Sequence, residues 1–272
     1  MKTTIVFIGD THTNSKVGLS SALVELDEGG TYYYNKLQNW LLANFTKFVE
    51  HVSLHKAAGH RIILVLNGDI VDMNSKDPIG LINQNPAFAV RHALEVLQPL
   101  TRLAEKIFVV RGTPVHTGDT SYLEELIAEA LGAETNQETT NRSHWVLNLK
   151  VGDVLFNVAH HGRTGQRAWT VLGPLMSFGS EMIIESVRQG VKPPDVIIRS
   201  HKHIHLDTGE ALPVRVIQLP CWQFPTAFVV KHNIVRLPSF GGVLITVDGS
   251  IETVKAIHFE VGKNEYNSPI VV

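Results

Sequence analysis

The stretch Thr3-Thr4-Ile5-Val6-Phe7-Ile8-Gly9-Asp10-Thr11-His12 decides how the rest of the chain is read. A run of β-branched and apolar residues stops at a glycine and then presents a carboxylate and an imidazole. The same grammar returns at Arg61-Ile62-Ile63-Leu64-Val65-Leu66-Asn67-Gly68-Asp69-Ile70-Val71-Asp72. Both runs read as buried strands, and strands of this kind carry their chemistry at their carboxyl ends.

Outward from these strands the first half alternates strand and helix. A polar loop from Thr13 to Gly30 leads into Tyr32 to Ala57, where Leu37, Trp40, Leu41, Phe45, Phe48, Val49 and Val52 recur at helical spacing. Asn85-Pro86 starts a second helix through about Leu103, a third strand follows at Lys106 to Val110, and a helix from Tyr122 to Leu131 ends at Gly132. This β-α-β-α-β order predicts a mostly parallel sheet covered by helices.

The second half is richer in strands: His144 to Leu149, Val154 to His160, Asp195 to Arg199, Val214 to Leu219, Ala227 to Val230, Val243 to Val247 and Thr253 to Glu260. One helix, roughly Gln166 to Gln189, interrupts them. Val151-Gly152-Asp153 and Val247-Asp248-Gly249-Ser250 are hairpin signals, so antiparallel pairs belong here. A mixed sheet, or two facing sheets, is the economical arrangement.

Bulk properties bound the rest. The 272 residues, 44% of them hydrophobic, suffice for one large domain, taken as residues 1–272. Lys and Arg number 24 against 26 Asp and Glu, which excludes a global basic field for nucleic acid. The single cysteine, Cys221, excludes an internal disulfide and fits a reducing compartment. The apolar run before Gly9 is too short for a signal-peptide core, and no stretch reaches the length of a membrane span, so a soluble cytoplasmic protein is expected.

The 14 histidines stand out, and their positions sort them. Asp10 and His12 are one residue apart and would share a side of an extended segment, where they can hold one metal. Asp69 leaves its strand at the equivalent position, and its two oxygens can bridge two cations. Asp72 could serve behind it. Val158-Ala159-His160-His161-Gly162 is another strand end, and His201 and His203 alternate directly after Val196 to Ser200. Carboxylates mixed with imidazoles suit Mn, Fe or Zn better than an all-oxygen Ca or Mg cage.

In chain order, Gly9-Asp10-x-His12, Gly68-Asp69-x-x-Asp72, a glycine-bearing turn with His116, His161-Gly162 and His201-x-His203 resemble the calcineurin-like metallophosphoesterase family. The resemblance runs from about Thr3 to His205. With the strand-rich second half it implies an α/β fold, a four-layer α/β/β/α sandwich with two mixed β-sheets. It also implies two divalent ions, manganese placed ahead of iron and zinc: Asp10, His12 and His203 would hold one, Asp69 would bridge, and His161 and His201 would hold the other. A hydroxide between them would attack phosphorus in line.

Two departures matter. Where the family has Gly-Asn-His and an acid, this chain reads Arg111-Gly112-Thr113-Pro114-Val115-His116, without the asparagine ligand. His116 either replaces that ligand or protonates the leaving oxygen. Ser200 stands where the last motif usually has glycine. Leu26-Asp27-Glu28-Gly29-Gly30 with Asn35 to Leu41 looks similar to a phage and prophage branch of the family.

The expected activity is metal-dependent hydrolysis of a phosphoester, with diesters ahead of monoesters. A nuclease of the same family, acting on a nucleotide or nucleic acid, and a metal-binding pseudoenzyme working through protein contacts are the alternatives. His160 and His205, each beside a better-placed histidine, are expected on the surface or behind the ligands. Arg111, Arg163 and Arg199 flank motifs and would either bind phosphate oxygen or be salt-bridged. Oligomeric state is not encoded legibly.

Overall fold

The computed structural model describes residues 1–74, 78–165, 167–231 and 237–262. In chain order the elements are β1 (Thr3–Ile8), β2 (Leu23–Leu26), β3 (Gly30–Tyr33), α1 (Lys36–Ala57), β4 (Arg61–Asn67), α2 (Pro86–Thr101), β5 (Lys106–Val110), α3 (Pro114–Thr117), α4 (Tyr122–Ala130), β6 (Ser143–His144), β7 (Leu147–Val151) and β8 (Val154–His161). They continue with α5 (Gly173–Arg188), β9 (Val196–Ser200), β10 (Leu206–Asp207), β11 (Arg215–Gln218), α6 (Ala227–Lys231), β12 (Phe240–Asp248) and β13 (Ser250–Phe259).

Two mixed sheets face each other. The first has the order β13-β12-β1-β4-β5-β6, with β1, β4, β5 and β6 parallel and β12 and β13 antiparallel. The second has the order β10-β11-β9-β8-β7, with a parallel centre and antiparallel edges. Alternation decides which residues meet between them. Ile5, Phe7, Ile63 and Val65 point inward onto Phe156, Val158, Val196 and Ile198, and the rings of Phe7 and Phe156 lie 5.9 Å apart.

The other face of the first sheet, Val6, Ile8, Leu64 and Leu66, is covered by Leu41, Phe45 and Phe48 of α1 and by Ala93 and Leu97 of α2. Each of the larger side chains buried there contributes about 1.5–3 kcal/mol of transfer free energy. On the far side of the second sheet, Ile197 and Val216 pack against Leu175 of α5, flanked by Phe178 and Met182. The expected four-layer α/β/β/α sandwich is the architecture observed.

Several local expectations need correction. Residues from Leu23 to Tyr33 form the β2–β3 hairpin, so the first helix begins only after Asn35. The Asn35 side chain accepts from Leu37 N and Gln38 N while Gln38 reaches back to Asn35 N, a capping box that outweighs the upstream aromatic run. Ala227 to Val230, expected as a strand, lies in the short helix α6. The helix expected from Gln166 to Gln189 is α5 preceded by a short turn at Ala168–Thr170, and Gln166 itself lies outside the described residues. Among the described residues no helix is long and apolar enough to cross a membrane.

Candidate metal centre

The loops after β1 and β4 leave the first sheet side by side and stay zipped together. Asp10 N donates to Gly68 O, His12 N to Asp69 O and Thr13 N to Ile70 O, each at 2.9 Å. The strands thus hand their pairing on to the loops that carry the carboxylates. The segment from Asp10 to His12 is not extended, as the residue spacing suggested: Asp10 has φ 52° and His12 φ 42°. Asp69 (50°), His201 (74°) and His203 (55°) share this left-handed region. Such conformations cost on the order of 1–3 kcal/mol each and cluster where side chains must converge.

They do converge. Asp10 Oδ1 lies 3.2 Å from His203 Nε2 and 3.9 Å from His12 Nε2, and the two imidazole nitrogens are 3.3 Å apart. Asp69 Oδ2 lies 3.0 Å from His160 Nε2 and 3.9 Å from His12 Nε2. Among the described residues the ligand-type atoms fall into three groups, two of them sharing His12: Asp10, His12 and His203; His12, Asp72 and His116; and Asp69, His160 and His201. His203 groups with Asp10 and His12, and His201 with Asp69 and His160.

His160 is the residue that sequence reasoning misplaced. It is buried against Asp69, whereas His161 is exposed and meets the cluster through its ring, 4.8 Å from that of His201 and 5.1 Å from that of His160. The signal was in β8: Phe156 and Val158 face the other sheet, and the same parity carries His160 inward. His205 pairs with His258 at 3.1 Å.

The atoms at hand fit divalent cations. His160 Nδ1 donates to Asn67 O at 2.8 Å, which leaves the Nε2 lone pair directed at Asp69, an arrangement usual for an imidazole that ligates a metal. A lone pair 3.0 Å from a carboxylate oxygen needs a proton or a cation between them. Among the described residues, buried Asp10 Oδ1 has no hydrogen-bond partner. Two atoms bound to one ion of this class stand roughly 3–4 Å apart, the spacing found among Asp10, His12 and His203.

Charge tells the same story. Burial opposes ionisation of Asp69, yet His160 and then His12 hold its carboxyl well below the usual range. Burial also resists charging His160, but the Asp69 carboxylate pushes it up to about 10. Burial, and then His160, bring His201 down to about 4, so its ring is neutral at pH 7. The cluster draws positive charge to its carboxylates.

The altered turn places Thr113, not His116, against this centre. Thr113 N donates to Asp69 Oδ1 at 2.6 Å, and its hydroxyl lies 3.1 Å from Asp69 Oδ2 and 3.2 Å from His201 Nδ1. His116 sits one step away, with Nδ1 3.1 Å from Asp72 Oδ1 and its ring edge-on to His12 at 4.7 Å. Burial disfavours the charged His116 ring, but the hydrogen bond to Asp72 and the charge of Asp69 raise it above an ordinary histidine. Ser200, in place of glycine, accepts through Oγ from Asn67 Nδ2 at 2.7 Å, which ties the end of β4 to that of β9 beneath the centre.

The three arginines are occupied elsewhere. Arg111 pairs with Glu125 at 3.3 Å, Arg163 with Glu181 at 2.7 Å, and buried Arg199 donates to Asn157 O and Oδ1. Glu124, absent from every sequence expectation, is fully buried and accepts from the amides of Ile70 and Gly112. Burial, and then Asp69, raise it to about 8.

Fold and site together define an α/β/β/α sandwich that gathers carboxylates and imidazoles at the carboxyl ends of β1, β4, β8 and β9. Solved structures to which the chain is similar include a dimetal phosphatase from Danio rerio (12% identity, 93% of this chain and 95% of that one, TM-score 0.47). They also include Vacuolar Protein Sorting 29 from Cryptosporidium parvum (12% identity, 96% and 99%, TM-score 0.46) and a metallophosphoesterase from Sphaerobacter thermophilus (13% identity, 96% and 89%, TM-score 0.39). No protein-family profile and no curated protein matches the sequence.

Proposed function

We propose that this chain is a calcineurin-like metallophosphoesterase that hydrolyses phosphoesters, diesters ahead of monoesters, with two divalent ions, manganese first among them. The observation that carries the reading is Asp69, whose Oδ2 lies between His160 Nε2 at 3.0 Å and His12 Nε2 at 3.9 Å, so that one carboxylate serves two ligand groups. Asp10, His12 and His203 would hold one ion; His160 and His201 would hold the other, with Asp69 shared. Bound there, such ions supply positive charge to phosphoryl oxygens and lower the pKa of a coordinated water.

The remaining work falls to the chain's own groups. His116, held by Asp72 through Nδ1, keeps a proton on its ring and can deliver one from Nε2 to a leaving oxygen. Asp72 is itself fixed by Gln223 Nε2 at 3.3 Å. Thr113 orients Asp69 through both oxygens, which supports a role in shaping the centre for the residue that stands in place of asparagine.

The test is turnover by metal-stripped protein resupplied with Mn, on bis-p-nitrophenyl phosphate, p-nitrophenyl phosphate and single-stranded DNA, with Asp69→Asn as control. Metal-dependent cleavage of the diester, lost in the control, is expected. Cleavage of DNA alone would make the chain a nuclease. Metal binding without turnover on any substrate would leave a pseudoenzyme and overturn the hydrolase reading.

A further inference from the structure

We infer that Glu124 is a positioning residue for the Asp69 centre: its carboxylate clamps one amide on each of the two loops that meet there, and so seats Thr113 on Asp69. This rests on the metal-centre reading above. Glu124 lies in the first turn of α4 and is 0% exposed. Oε1 accepts from Ile70 N, just after Asp69, at 3.2 Å; Oε2 accepts from Gly112 N in a short bond. One side chain therefore spans the loops after β4 and β5.

Gly112 is held from both sides. Its N–H goes to Glu124 and its carbonyl accepts from Ser121 Oγ at 3.0 Å, so the start of α4 holds both backbone polar groups of this residue. It is also pressed onto Asp69: a Cβ at Gly112 would overlap Asp69 N and Oδ1. The next residue, Thr113, makes the two hydrogen bonds that orient the Asp69 carboxylate. Any slip of Gly112 is transmitted directly to them.

The acid is a costly choice for this place. Burial and the charge of Asp69 oppose ionisation of Glu124, and the charge of His160 offsets them only in part, so an acid here is expensive. With its pKa raised to about 8 the group is largely the neutral acid at pH 7, and what it provides in either form is an oxygen at both positions that can accept from an amide. A glutamine of the same shape would accept at one end and turn an N–H toward an amide N–H at the other.

Glu124→Gln therefore decides the matter, read by amide hydrogen exchange on metal-free protein and by calorimetric titration with Mn. Exchange at Thr113 N should quicken at least tenfold while Val6 and Leu64 in the sheet stay within twofold, and Mn should bind at least tenfold more weakly. Unchanged Thr113 exchange, or equal quickening throughout the sheet, would overturn the clamp, the latter because it marks general destabilisation. Should the glutamine variant fail to fold, Glu124→Asp, too short to span both amides, must give the same pattern. If wild-type protein binds no Mn, the metal-centre reading falls, whereas the exchange at Thr113 still decides the clamp.

Discussion

His116 Nδ1 and Asp72 Oδ1 stand 3.1 Å apart, an imidazole–carboxylate pair with the ring 22% exposed at its outer side and the acid nearly sealed. Burial lowers His116, and the hydrogen bond to Asp72 with the charges of Asp69 and Asp72 outweighs it and raises the ring above an ordinary histidine. His116 thus lies beside the centre without belonging to the Asp69 group.

The first prediction separates acid from ligand. His116→Ala should lower kcat by on the order of 100-fold or more while metal content per protein stays at the wild-type value. Asp72→Asn should follow it in direction, because the amide cannot hold the imidazolium. Elemental analysis beside steady-state rates reads both; loss of ion from His116→Ala would make His116 a ligand instead.

The two adjacent histidines of β8 give a second contrast. His160→Asn should lose one ion and nearly all turnover, whereas His161→Asn should keep both ions and most activity. The reverse pattern would restore His161 as the ligand, so ion stoichiometry on the two variants is enough to choose.

Gly68 combines φ 79° with contact: a Cβ there would come within 2.5 Å of His160 Nδ1. Gly68→Ala should cost about 2–4 kcal/mol from the left-handed backbone and the overlap together. It should also displace the His160 ring. Denaturant melts would show the first effect and weakened Mn binding the second.

His92 predicts how stability falls with acid. Its Nε2 accepts from Ser20 Oγ at 3.1 Å and Ser21 N at 3.4 Å, and burial, then Arg91, bring it down to about 4 from 6.5. The unfolded chain binds this proton more readily, so the contribution is complete above pH 6.5 and is lost as pH falls toward 4. At pH 5 the loss is about 2 kcal/mol. His92→Gln should therefore lose about 2 kcal/mol less than wild type between pH 7.5 and 5; parallel denaturation curves at both pH values would refute it.

Much of the fold was legible because its rules are local. β-branched runs ending at Gly9 and Gly68 marked β1 and β4, and Asn85-Pro86 marked the start of α2. The boundary of α1 was not, since a capping box at Asn35 and the pairing of Leu23 with Tyr33 outcompeted an aromatic run with apparent helical spacing. Ala227 to Val230 misled for a similar reason: four residues carry too little pattern to separate strand from helix.

By itself the sequence determined which residue types arrive at strand ends, Asp10, His12, Asp69, His201 and His203 among them, since the chain's order sets that directly. Only the tertiary structure decided which of them meet. Left-handed turns, not extended chain, aim the side chains, and the second sheet brings His160 rather than His161 to Asp69. A helix more than fifty residues beyond Asp69 supplies Glu124, whose contacts are long-range hydrogen bonds that no local pattern records.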